Sequence, residues 1–216
     1  MPIVCHISDW HGHWRKVPEA DIYICTGDML PNYPHPVGLW GQIIRELEVE
    51  GQTKWMQEQK EAGGLRRFLG NPDAPVAVVR GNHDFIDLGP WFGGEYFEVD
   101  HDASRVVEYC GLRIGGFRGI PIIAGEWSDE MCQIQRAALM GDIPRDLDII
   151  ISHAPPKKIL AGPYGCTEYA WLMEKWQLHR PELCCFGHVH EDGGRTVKIK
   201  GTIFSNAATK FNVVEL

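Results

Sequence analysis

The sequence has no apolar run that approaches the length of a membrane span, so an integral membrane protein is not expected. Its first residues, MPIVCHISD, lack a basic stretch followed by a long apolar segment, and nothing reads as a signal peptide. There is no excess of basic side chains: 21 stand against 29 acidic ones, for a net charge of −8. Binding to duplex nucleic acid rests on neutralising phosphates with a basic face, so a nucleic-acid partner is not expected. No internal repeat and no low-complexity tract occurs. The seven cysteines are odd in number and contain no C-x-x-C pair. Cys5, Cys25, Cys184 and Cys185 sit inside apolar runs and read as buried free thiols of a reducing compartment. These absences describe a soluble protein expected in the cytoplasm. At 216 residues and 44% hydrophobic, one α/β domain spanning 1–216 is expected to bury its core without disulfides.

What the sequence does have is a series of short apolar runs, nearly all ending in polar clusters. PIVCHI ends in Ser8-Asp9, and Ile22 to Cys25 ends in Thr26-Gly27-Asp28. Val76 to Val79 ends in Arg80-Gly81-Asn82-His83-Asp84. Ile149 to Ile151 ends in Ser152-His153, and Leu183 to Phe186 in Gly187-His188-Val189-His190. Such runs read as strands buried on both faces. Trp40, Ile43, Ile44 and Leu47 recur at helical spacing, with Gly63-Gly64 as a break further on. Cys110-Gly111 reads as the turn of an antiparallel hairpin within Arg105 to Phe117. Glu130 to Met140 and Thr167 to Trp176 read as helices. Thr196 to Lys200 with Thr202 to Phe204 reads as a second hairpin, and Asn212 to Leu216 as a last strand. The expected class is α/β, with two packed sheets and helices outside.

Functional groups in α/β sheets gather at the carboxyl ends of strands. Here those ends carry Asp9, His11, Asp28, Asn82, His83, His153, His188 and His190, all oxygen or nitrogen donors. Carboxylate with imidazole suits Mn, Fe, Zn, Co or Ni better than Ca, which prefers oxygen alone. In D-x-H and H-x-H the two side chains of an extended backbone point to one side and can address one site. Taken singly, each motif has a plain structural reading: a helix cap, a turn residue or a loop histidine. Five of them in one chain, each directly after an apolar run, are hard to explain that way.

The order D-x-H, G-D, G-N-H-D, H, G-H-x-H resembles the calcineurin-like metallophosphoesterase family. Ser152-His153-Ala154-Pro155-Pro156 and Phe186-Gly187-His188-Val189-His190-Glu191 are similar to the small metallophosphoesterase-domain phosphodiesterases within it. The resemblance implies a four-layer double β-sandwich flanked by helices. It implies one metal on Asp9, His11, Asp28 and His190, and a second on Asp28, Asn82, His153 and His188, with Asp28 bridging. Manganese is the ion expected to serve in vitro. It implies that His83 faces substrate rather than metal. Two departures stand out. The family often has an aspartate three residues after the bridging one, to orient the catalytic histidine; Pro31 occupies that place. Trp10 is bulky for the middle of D-x-H, and packing in the core is its expected role.

Two cations would lower the pKa of a bridging water and hold it as hydroxide near neutral pH. His83 would protonate the departing alkoxide. Asn82, His83 and Arg118 are candidates for touching substrate, with His13 and Lys157-Lys158 nearby in the same role or simply solvated. The expected substrate is a small phosphodiester, including a nucleotide or cyclic nucleotide. A phosphomonoesterase is the alternative, and a metal-binding scaffold protein a more distant one.

Overall fold

Successive side chains of a strand point to opposite faces, and in this chain both faces of the central strands are apolar. Val4, Ile22, Ile24, Ala77 and Val79 point into a cluster shared with Ile149, Ile151, Leu183 and Cys185. Their neighbours Cys5, Tyr23, Cys25, Val76 and Val78 point the other way, onto Met56, Leu65 and Leu69. On the far side, Ile150, Cys184 and Phe186 meet Met140, Tyr169 and Met173. Each fully buried aliphatic or aromatic side chain contributes about 1.5–3 kcal/mol, so the pattern dictates a helix, sheet, sheet, helix stack.

The computed structural model describes residues 1–33, 42–175 and 180–216. The amino-terminal part contains β1 (Ile3–Ile7), β2 (Ile22–Cys25), α1 (Gln42–Glu61), β3 (Val76–Val79), a short α2 (Gly89–Phe92) and β4 (Tyr96–Val99). Then follow β5 (Val106–Tyr109), β6 (Leu112–Gly116), β7 (Ile120–Pro121), β8 (Glu130–Met131) and α3 (Gln133–Gly141). The rest is β9 (Ile149–Ile151), α4 (Thr167–Lys175), β10 (Leu183–Phe186), β11 (Arg195–Ile199), β12 (Thr202–Asn206) and β13 (Phe211–Glu215). One sheet runs β13-β1-β2-β3-β4 and the other β11-β12-β10-β9-β6-β5, with β7 and β8 forming a small pair. Within them β1, β2 and β3 are parallel, as are β9 and β10. The expected α/β double sandwich flanked by helices is therefore present. No helix among the described residues is long and apolar enough to cross a membrane.

Both expected hairpins form. Their turns, Cys110-Gly111 and Lys200-Gly201, have positive φ at both central residues, which matches the twist of the flanking strands. Three details differ from the expectations. Glu130 and Met131 are a strand, and α3 starts only after Cys132. The parallel strand β4 is not evident in the sequence, because Tyr96-Phe97-Glu98-Val99 carries a carboxylate that interrupts its apolar pattern. In α1 the buried stripe is Ile44, Glu48, Gln52 and Met56, while Ile43 and Leu47 are exposed. Trp40 and Trp176 lie outside the described residues. The polar centre of that stripe is turned inward because it serves the loops above the sheet. All seven cysteines are free, with the four expected ones buried.

Candidate metal centre

Parallel strands deliver their carboxyl ends to one edge, and there the backbone bends sharply. Asp9, His11, Asp28 and His188 all adopt positive φ, at 57°, 44°, 53° and 69°. Such conformations cost non-glycine residues about 1 kcal/mol or more and persist only where the surroundings enforce them. Here the loops after β1 and β2 are laced together. Asp9 N donates to Gly27 O, His11 N to Asp28 O and Gly12 N to Met29 O, each at 2.9 Å. At the tip of β10, Val189 N donates to Gly187 O at 2.8 Å, closing a three-residue turn centred on His188. Gly81 and Gly187 allow the loops to touch. A Cβ on Gly81 would sit 2.1 Å from Asp28 Oδ1, and one on Gly187 would sit 2.1 Å from Asp9 Oδ2.

Two donor clusters result. Asp9, His11 and His190 each bring one ligand atom within 4.8 Å of the others, and so do Asp28, His153 and His188. In the second cluster His153 Nδ1 donates to the Thr26 carbonyl at 2.6 Å, which links the two sheets. Its Nε2 then faces Asn82 Oδ1 at 3.2 Å and Asp28 Oδ2 at 3.3 Å. A neutral imidazole in that tautomer points its lone pair at the Asp28 carboxylate, and a cation between them relieves the repulsion. Without a metal that cation is a proton. Burial pulls the His153 pKa down, but the Asp28 carboxylate overrides it and raises the value to about 10. Burial acts to raise Asp28, yet His153, His83 and His11 together hold it well below the usual carboxylate range. His188, pushed down by burial and then by His153, titrates at about 4 and is a neutral imidazole at pH 7.

In the first cluster Asp9 is buried. It accepts hydrogen bonds from Ser8 Oγ and from the His188 amide, and lies 3.1 Å from His190 Nε2. That contact raises the His190 pKa. The oxygen and nitrogen donors of both clusters fit divalent transition metals.

His83 belongs to neither cluster. Its amide donates to Asp28 Oδ1 at 2.7 Å. Its ring packs on Trp127 at 4.3 Å between centroids and edge-on to His11 at 5.0 Å. His83 Nδ1 is buried and has no hydrogen-bond partner among the described residues. The His83 ring is thus held by aromatic packing. Asp84 does other work. Its two oxygens accept the amides of Asp28, Met29, Leu30 and Gly81 at 2.7–3.0 Å. Gln52, reaching up from α1, donates to His83 O at 2.7 Å and accepts from Phe85 N at 2.8 Å, which fixes the backbone on both sides of Asp84. Sequence reasoning does not single out Trp127, Asp84 or Gln52 as site residues. The helical spacing of Glu48 and Gln52 within an otherwise apolar stripe is the signal that could have marked Gln52.

A cavity of about 320 Å³ opens over Asp28, Asn82, His83, Trp127, His188 and His190. Arg118 is not brought to it. Its guanidinium is buried in a two-pronged contact with Asp129, at 3.0 and 2.7 Å, and it lines a different cavity with Tyr96 and Glu98. His13, Lys157 and Lys158 are exposed and lie outside the lining of the cavity. Trp10 packs in the core beside Trp14, and its indole N–H donates to Lys210 O at 2.9 Å.

The family model described as calcineurin-like phosphoesterase matches residues 3–192. Among curated proteins the chain is 26% identical over 210 residues to a probable rhamnogalacturonate lyase C of Emericella nidulans. That match covers 90% of this chain but 18% of the relative's own length. It is 25% identical over 230 residues to a UPF0046 protein of Caenorhabditis elegans, covering 96% of this chain and 69% of that one. Among solved structures, a putative 5'-nucleotidase of Staphylococcus aureus superposes with a TM-score of 0.53. Its identity is 11%, over 99% of this chain and 50% of the nucleotidase chain, a likeness of fold. The family match runs through every strand-end cluster from Asp9 to His190, and the chain belongs to the calcineurin-like phosphoesterase family.

Proposed function

We propose that this protein is a binuclear metal-dependent phosphoesterase that hydrolyses small phosphodiesters. The observation that carries the reading is the convergence of Asn82 Oδ1 and Asp28 Oδ2 on His153 Nε2, both within 3.3 Å of it. One divalent ion would be held by Asp9, His11, Asp28 and His190, and a second by Asp28, Asn82, His153 and His188, with manganese suited to both. Bound there, the ions supply Lewis acidity to the phosphoryl oxygens and acidify water. The residues of the chain divide the remaining work. Asp84 and Gln52 hold the loops that present Asp28 and His83. His83 projects beside the metal ligands and donates a proton to the departing ester oxygen. Trp127 limits the tilt of its ring. The lining of the cavity contains no lysine or arginine among the described residues. A diester carries one negative charge on its phosphoryl group and needs less compensation than the dianion of a monoester, which favours the diester.

The test compares manganese-loaded protein on bis(p-nitrophenyl) phosphate and on p-nitrophenyl phosphate. The diester is the better substrate, chelation abolishes turnover, and His83→Ala lowers kcat by about 10²–10⁴-fold with metal content intact. Preference for the monoester would overturn the diester assignment. A His83→Ala variant that loses metal in proportion to activity would overturn the role of His83.

A further inference from the structure

Beside the metal centre lies a second cavity, larger and of different character. It holds about 590 Å³ and is lined by Pro121, Ile122, Ile123, Pro163, Tyr164 and, at its inner end, His188. Ile123, Tyr164 and His188 also line the cavity over the metal ligands, so the two spaces are continuous. Ile122 and Ile123 are each 58% exposed and Tyr164 is 61% exposed. Two adjacent isoleucines and a tyrosine facing water across one cleft are costly to leave bare.

The loop that presents them is built rather than slack. Glu130 accepts the amides of Ile123, Ala124 and Trp127, at 2.5, 2.8 and 3.0 Å. Ser128 N donates to Asn82 O at 2.9 Å, which fastens the same loop to the metal-centre loop after β3. One carboxylate therefore sets both the Trp127 ring against His83 and the isoleucines at the mouth of the cleft. Besides His188, no ionisable side chain but the tyrosine lines it among the described residues.

We infer that this cleft is the subsite for one ester group of the substrate, and that it takes an uncharged, ring-bearing group. The inference rests on the phosphoester reading of the metal centre. A phosphoryl group over Asp28 and His188 would direct a substituent along the shared wall of Ile123 and Tyr164. There the ring would lie between aliphatic side chains and the tyrosine face. Among the described residues no lysine or arginine lines the cleft to receive a second phosphate or another anionic group.

Calorimetric titration of manganese-loaded protein with methylphosphonate and phenylphosphonate tests this, since neither probe is hydrolysed. The wild type binds phenylphosphonate roughly tenfold or more tightly, the gain expected when a ring leaves water for a preformed cleft. In Ile122→Asn, a residue of the second cleft alone, that ratio falls several-fold while methylphosphonate affinity and thermal stability hold, and in Tyr164→Ala the ratio falls as well. Both residues are solvent-facing, so the fold survives their replacement. A wild-type ratio near one, or a ratio that survives both variants, overturns the subsite and leaves the phosphoester reading intact. If neither phosphonate binds, the phosphoester reading fails and the subsite fails with it.

Discussion

The substitution Asp84→Asn exchanges a single side-chain oxygen for nitrogen and should destabilise the protein severely. The Asp84 side chain is fully buried. One oxygen accepts the amides of Met29 and Leu30, both at 3.0 Å, and the other those of Asp28 and Gly81, at 2.7 and 2.9 Å. With asparagine in this place an NH₂ group replaces one oxygen, so two of these amides meet a donor whichever way the side chain is turned. A buried amide left unsatisfied costs about 1–3 kcal/mol, and two of them about 4 kcal/mol. For a chain of this size, ~1 kcal/mol moves Tm by roughly 2–4 °C, so a fall of about 8–16 °C is expected. Circular dichroism melts of the metal-free protein measure it without interference from lost metal. The competing physics is definite: burial, then the charge of Asp28, push the Asp84 pKa upward. Asn is the isostere of a protonated carboxyl. A Tm within about 3 °C of wild type would mean that the pocket tolerates a donor on that oxygen, and that the carboxylate clamp is wrong.

Gly81→Ala places a methyl group 2.1 Å from Asp28 Oδ1 and 2.5 Å from Asp28 N. Asp28 cannot retreat without leaving Asp84, so manganese affinity should fall roughly 10–100-fold, the range seen for residues that orient ligands; unchanged affinity by calorimetry would refute the steric argument. The proton balance of metal uptake is a further prediction. In the metal-free protein His153 has a pKa raised to about 10, from an ordinary 6.5. The stability this contributes is full below pH 6.5 and is lost as pH rises through about 10. At about pH 8 the metal must displace that proton, whereas His188, at about 4, has none to give. Titrations in buffers of different ionisation enthalpy should show at least one proton released per protein; none released would contradict the protonated His153–Asp28 pair.

The parallel strands and the residues at their ends were legible because most of the buried strands are short apolar runs that end in a polar cluster, β1 alone among β1, β2, β3, β9 and β10 carrying a histidine, His6, within the run. Val76 to Val79 followed by Arg-Gly-Asn-His-Asp is readable by eye, and so are the two hairpins, whose turns need positive φ at both central positions. The supports of the site were not legible. Asp84 sits next to His83 and looks like a turn residue, yet its side chain is turned away to collect four amides. Gln52 is 31 residues from His83 and lies in a helix whose sequence offers Ile43 and Leu47 as a more obvious apolar stripe. Trp127 and Glu130 belong to a stretch that follows no periodicity, and their roles exist only once Asn82 and Ser128 are joined. Arg118 was attractive as a phosphate partner by residue type alone. Its pairing with Asp129, 11 residues further along, depends on the β7–β8 pair, which is too short to announce itself.

Anomalous diffraction from a crystal soaked in manganese would locate the ions among the strand-end ligands. Two peaks are expected, one among Asp9, His11 and His190 and one among Asn82, His153 and His188, with the carboxylate of Asp28 touching both. A single peak away from Asp28, or none at these strand ends, would contradict the binuclear centre.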